Sequence, residues 1–165
     1  DIAPRLQDFE QEKTLTFSEV PDDVTKLGAI VDKVRKAGLL PDKNAVGFDP
    51  NNIGAIVEAL ASIGIKEEQL RRLMQGPQLS PALWGLERKC SDKTFAHDGS
   101  SMMNWVVGNV KVEVKGNGNM VTKQISGRTK IDPFVALLCA AILMSWNPKA
   151  KGNLQRAILE RAGMA

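Results

Sequence analysis

Gly127-Arg128-Thr129-Lys130-Ile131-Asp132-Pro133-Phe134 leads straight into an apolar run that continues to Trp146. How this stretch is read decides the fold. Pro133 suits the first helical position, where its missing N–H has no intrahelical partner. Asp132 is then the expected N-cap, and residues 134–146 form a core helix too short to cross a bilayer. A plain helix start accounts for the spacing, since an Asp cap is worth about 1 kcal/mol by itself. The alternative is that the helix start holds the Asp132 carboxylate in place for chemistry, with Arg128 and Lys130 leading into it.

The surrounding chain is that of an ordinary soluble protein. It has 165 residues, 43% hydrophobic and 25% charged, with a formal net charge of +3. One domain with a real core is expected. The charge permits a polyanionic partner without requiring one. Cys90 and Cys139 lie in different settings, which argues against a disulfide framework or a zinc site and for a reducing compartment. The first residue is Asp rather than Met, so the chain reads as a piece of a longer protein.

Residues 1–13 read as a polar, flexible lead-in. Residues 14–20 alternate polar and apolar β-formers and predict a strand. A helix follows with Val24, Leu27, Ile30, Val31 and Val34 on its inward face, ending near Gly38. Residues 45–48 predict a buried strand ending in Asp49-Pro50, then a helix capped by Asn51 or Asn52 with Ile53, Ile56, Val57, Leu60 and Ile63 inward. This order suggests an α/β layer with at least one parallel pair. Residues 66–74 are ambiguous between helix and strand. Ser80-Pro81 predicts an N-cap and first position for a helix carrying Leu83, Trp84 and Leu86. Residues 102–107 predict a short helix. Residues 110–115 and 120–125 predict an exposed β-hairpin across Gly116-Asn117-Gly118-Asn119. Residues 148–165 read as a basic tail with a short helix over 154–162.

No phosphate loop of the GxxxxGK[ST] kind is present, so the chain is not an ATPase by itself. No Cys/His set has zinc spacing. A hydrolytic triad would have to rely on His97, without any nucleophile elbow. Carboxylates at element ends remain. Asp49 closes an apolar strand, and in open α/β sheets ligands gather at the carboxyl edge. Together Asp49 and Asp132 could hold hard cations such as Mg²⁺. Two such ions about 4 Å apart could activate water and stabilise the leaving oxygen of a phosphodiester. Arg128 and Lys130 would hold phosphates, and Lys111, Lys115 and Lys123 would track a nucleic-acid backbone. For the lysines taken singly, a solvated surface is the competing reading.

The segment His97-Asp98-Gly99-Ser100-Ser101-Met102-Met103-Asn104-Trp105, followed by Val107-Gly108-Asn109-Val110, Lys123 and Arg128…Ile131-Asp132, resembles the C-terminal nuclease domain of tailed-phage terminase large subunits. Val46-Gly47-Phe48-Asp49 resembles the family's second acidic motif, and Gln75-Gly76 with Leu79-Ser80-Pro81-Ala82 resembles the segment between. The resemblance covers roughly residues 14–147. It implies an RNase H-like mixed sheet flanked by helices and a two-metal Mg²⁺ or Mn²⁺ endonuclease that cuts concatemeric double-stranded DNA. It makes Asp49 and Asp132 metal-binding catalytic carboxylates and Asp98 a further candidate ligand, with His97 near the site. It also implies the portal protein and the small terminase subunit as partners, in the cytoplasm of a bacterial host.

The chain departs from the family pattern in three respects. The strand bearing the first acidic residue is not recognisable and is expected upstream. The packaging ATPase is absent. Ser100-Ser101 replaces Asn-Pro, and Thr129-Lys130 separates Arg128 from Ile131. Another RNase H-like nuclease such as a junction resolvase, or a non-catalytic domain binding DNA or portal protein, are the alternatives.

Overall fold

A computed structural model describes residues 2–51, 53–116, 118–123, 129–146 and 148. They fall into two compact units, one drawn from within Asp1–Ser18 and Leu73–Ser145, the other from within Glu19–Arg72 and Trp146–Ala165. The secondary structure is mixed α and β. Among the described residues the strands make two separate two-stranded sheets rather than one mixed sheet.

In the first unit, the apolar run forms helix α6 (Asp132–Ser145), packed against α4 (Ser80–Ser91). Leu138 is fully buried, and Leu73, Leu79, Ala82, Leu86, Cys139 and Leu143 complete the cluster around it. The Pro77–Leu79 turn enters α4, with Leu79 as its cap. Ser80 is thus the first helical residue, one place beyond the cap expected of it. Its hydroxyl is used elsewhere, accepting the Asn119 N–H at 3.1 Å. Such shifts of one residue are common at helix ends.

Helix α5 (Ser101–Gly108) begins at Ser100, whose hydroxyl accepts the Met103 N–H and so satisfies one donor of the first turn. Strands β3 (Val110–Lys115) and β4 (Gly118–Lys123) pair antiparallel, with Val112 opposite Val121 and Lys115 opposite Gly118. Gly118 is where the ladder meets the Pro77 turn. A Cβ there would stand 3.2 Å from Pro77 Cβ, so the close approach favours glycine.

Residues 1–13 are not a frayed lead-in. They contain α1 (Ala3–Gln11), whose Phe9 is fully buried against Trp105 with ring centroids 5.6 Å apart. Ile2, Leu6 and Phe9 carry the helical spacing that the polar composition hides. The expected strand over residues 14–20 does not form. Its start closes α1 instead, with the Thr14 hydroxyl and the Thr14 and Leu15 N–H groups donating to the Phe9 carbonyl. Alternation of β-formers needs a partner edge, and no ladder bonds are made by this segment.

The second unit contains α2 (Asp22–Lys36), β1 (Val46–Phe48), α3 (Gly54–Ser62) and β2 (Leu70–Arg72). β1 and β2 pair in parallel, with Phe48 opposite Arg72. A one-turn helix, Glu67–Gln69, precedes β2 and resolves the ambiguous stretch. Gln69 fixes it from both sides, accepting the Lys66 N–H and donating to the Pro41 carbonyl. The expected inward face of α2 is only partly covered: Gly28 is its buried residue, while Leu27, Ile30 and Val34 remain exposed. α2 approaches α3 at Gly28, and a three-residue parallel pair offers little surface to cover the rest. The cap of α3 is Ile53, not Asn51.

The tail helix expected over 154–162 lies outside the described residues. Replacing Leu138 by Ala should destabilise the protein by about 3 kcal/mol, the cost of an unfilled cavity in a closed core. Denaturant unfolding should show this as a lower midpoint at unchanged slope.

Candidate functional site

Asp132 stands exposed in the first turn of α6. The first helical bond of α6 runs from the Val135 N–H to the Ile131 carbonyl at 3.0 Å. Ile131 therefore takes the cap position expected of Asp132, and Asp132 becomes the first helical residue with Pro133 second. The shift matters chemically. A cap side chain normally spends its oxygen on backbone N–H groups of the first turn. A carboxylate one place further in still profits from the positive end of the helix dipole, by about 0.3–1 kcal/mol.

The approach to Asp132 is held from the neighbouring chain. Asn109, buried at 8% exposure, donates from Nδ2 to the Lys130 carbonyl at 3.1 Å. Ile131 is also buried. Lys130 keeps an exposed side chain. Arg128 lies outside the described residues. Asn109 was not among the residues singled out from the sequence as functional; its only signal there was its place in the 97–110 segment.

His97 and Asp98 share one exposed loop built by short-range bonds. His97 Nδ1 accepts the Gly99 N–H at 3.0 Å, and Asp98 Oδ1 accepts the Ser100 N–H at 3.0 Å. Gly99 has φ +70°, a conformation that glycine adopts without penalty. The His97 ring stacks on Phe95, which packs against the core. With Nδ1 accepting, the neutral ring carries its proton on Nε2. The Ser100 backbone N–H, then the Ser100 side chain, hold the Asp98 carboxyl below the usual aspartate range, with a smaller contribution from His97.

Asp49 lies in the second unit, half-buried directly after β1. Its Oδ1 accepts both the Asn51 N–H at 3.0 Å and Asn51 Nδ2 at 2.7 Å. An aspartate that bonds two residues ahead closes its own turn, so the sharp chain reversal after β1 orients the carboxylate.

The three ladder lysines do not share a face. Lys111 and Lys115 alternate with Val112 and Val114 along β3, and Lys123 lies opposite Val110. Directly paired residues of an antiparallel ladder share a face. Lys123 is therefore with the valines, on the face where Val121 meets the core. Lys111 and Lys115 are on the other face, and Lys111 Nζ pairs with Glu113 at 2.9 Å.

Oxygen donors on unburied carboxylates suit Mg²⁺ or Mn²⁺, which bind through one or two carboxylates and retain waters. Among the described residues no group of three or more His, Cys, Asp or Glu side chains gathers as a ready metal cage.

A family model for the terminase large subunit, endonuclease domain, matches residues 26–147. The chain belongs to that family. The match runs through Asp49, the 97–110 segment and Asp132, and crosses both compact units of this terminase nuclease domain. No curated protein and no solved structure matches the chain. Membership gives the domain a nuclease role in phage DNA packaging, with DNA as its partner. No helix among the described residues is long and apolar enough to cross a membrane.

The depressed Asp98 carboxyl has a pH consequence with a definite sign. Its stabilising bond to the Ser100 N–H is fully present above the ordinary aspartate value of 3.8 and is lost as pH falls through the lowered folded value. Thermal melts should show Asp98→Ala less stable than the parent at neutral pH. The gap should close as the solution is taken well below pH 4.

Proposed function

We propose that this domain is a metal-dependent endonuclease that cuts concatemeric double-stranded DNA at the start and end of packaging. The observation that carries this reading is the family match across residues 26–147, which takes in both Asp49 and Asp132. The reading includes an RNase H-like organisation, of which the parallel pair β1–β2 with α3 between its strands is the supporting fragment.

In this reading Asp49 and Asp132 hold Mg²⁺ or Mn²⁺. A pair of such ions, when bound, supplies a nucleophilic water and charge stabilisation for the leaving oxygen. The chain's own residues position and recognise. Asp132 is held at a helix start, and Asp49 is oriented by the turn it forms with Asn51. Asp98 is a further oxygen donor, kept ionised by the Ser100 N–H. His97 presents Nε2–H as a donor toward phosphate. Lys130 and Arg128 take phosphate oxygens, and Lys111 and Lys115 run beside the duplex on one face of the ladder, with Lys123 serving the opposite face. In the packaging assembly the portal protein and the small terminase subunit are its partners, in the host cytoplasm.

Calorimetric titration with Mn²⁺ tests the metal reading. Binding should be lost in Asp49→Asn and in Asp132→Asn. Binding unchanged in both would leave a domain that holds DNA or portal protein without cutting.

DNA affinity measured against salt concentration tests the ladder. Each lysine that neutralises a phosphate of duplex DNA contributes about 0.9 to the log–log slope. Lys115→Ala should reduce the slope by about that amount. Lys111→Ala should reduce it less, because Glu113 already compensates part of its charge. An unaltered slope in both would make this face solvated surface.

A further inference from the structure

We propose that Asn109 is a positioning residue for Asp132, an inference that rests on the reading of Asp132 as a metal ligand. Asn109 closes α5: its backbone N–H bonds to the Val106 carbonyl at 3.0 Å. That bond needs only a backbone, so any residue could make it. The side chain does something different. It is buried, and it reaches 21 residues along the chain to donate to the Lys130 carbonyl at 3.1 Å.

A buried amide costs free energy unless its donors and acceptors find partners. An apolar side chain at 109 would satisfy burial more simply. What it could not do is grip the peptide two residues before Asp132. Lys130 is held by this bond, and Ile131 by burial of its side chain and by the Val135 N–H on its carbonyl. Two successive backbone positions are thereby fixed immediately before an exposed carboxylate. They set where the Asp132 backbone stands, and so where its side chain starts from. Asn109 touches neither DNA nor metal in this scheme and acts only through the Lys130 peptide.

Groups that orient a metal ligand without touching the metal typically change affinity by about 10–100-fold when removed. The test is calorimetric Mn²⁺ titration of the 165-residue chain, its Asp132→Asn, Asn109→Ala and Asn109→Leu variants, and a core control away from α6, Leu60→Ala, at a buried position of α3. Asn109→Leu keeps the branched shape while removing the donor and adds no charge, so it serves if the alanine variant fails to fold. Thermal melts accompany every titration. Asp132→Asn should abolish binding. Both Asn109 variants should weaken it by about 10-fold or more. Leu60→Ala should lower the melting temperature and leave the affinity as it was.

Parent-like affinity in a folded Asn109 variant, with Asp132→Asn still abolishing binding, would overturn the positioning role alone. An equal loss of affinity in Leu60→Ala would overturn it too, by showing a general effect of stability. Binding that ignores Asp132→Asn would instead remove the metal reading, and the positioning role with it.

Discussion

The first unit depends on α4 and α6 closing over Leu138. That contact fixes the axis of α6, and with it the place where Asp132 leaves the core. Val121 and Phe95 pack against the same cluster, so the β3–β4 ladder and the loop bearing His97 and Asp98 inherit their positions from it. Ser80 and Gly118 add local fasteners, a hydroxyl for the Asn119 N–H and a close approach to Pro77. Apolar burial provides the rigidity, and hydrogen bonds choose the register. This division of labour suits a site that must be firm beneath and open to solvent above.

The second unit is built differently. Its strands are three residues long, its helices meet at Gly28, and much of the apolar stripe of α2 faces outward. Local polar bonds carry more of its order. Asp49 folds its own turn onto Asn51. On α2, Lys36 and Arg35 both bond to Asp32 and hold its carboxyl below the usual range. Arg71 lies over the Trp146 ring, 5.4 Å from its centre. Exposed ion pairs of this kind contribute little net stability, so they define geometry more than they secure it.

What could be read from the sequence was what rests on neighbours in the chain. The core helix behind Asp132, the short helix around residues 102–107 and the strand at 46–48 announce themselves by periodicity, whereas the partner of that strand, residues 70–72, lay in a stretch that reads equally as helix or strand. The strand expected at residues 14–20 failed because alternation describes a strand's faces and not the partner that must complete its ladder. Phe9 escaped notice because three apolar residues in a polar stretch look like noise until Trp105 is seen against them. The lysines looked equivalent until the register put Lys123 on the valine face. Asn109 was illegible as a positioning group, since its partner is a peptide carbonyl, and a backbone group has no identity in a sequence. The cap position of Asp132 was misplaced by a single residue, which periodicity cannot resolve.

The first unit is discontinuous: the chain leaves it after Ser18 and re-enters at Leu73. Phe9 therefore finds Trp105 only after the whole intervening stretch has been spanned. Closing so long a loop is entropically costly and slows any nucleus that depends on it. A stretch that has already compacted behaves as a shorter tether, so early collapse of the second unit would hasten assembly of the first. The α4–α6 pair, by contrast, needs only the downstream segment. The contact of α1 with Trp105 thus closes a longer loop than the α4–α6 contact that carries Asp132.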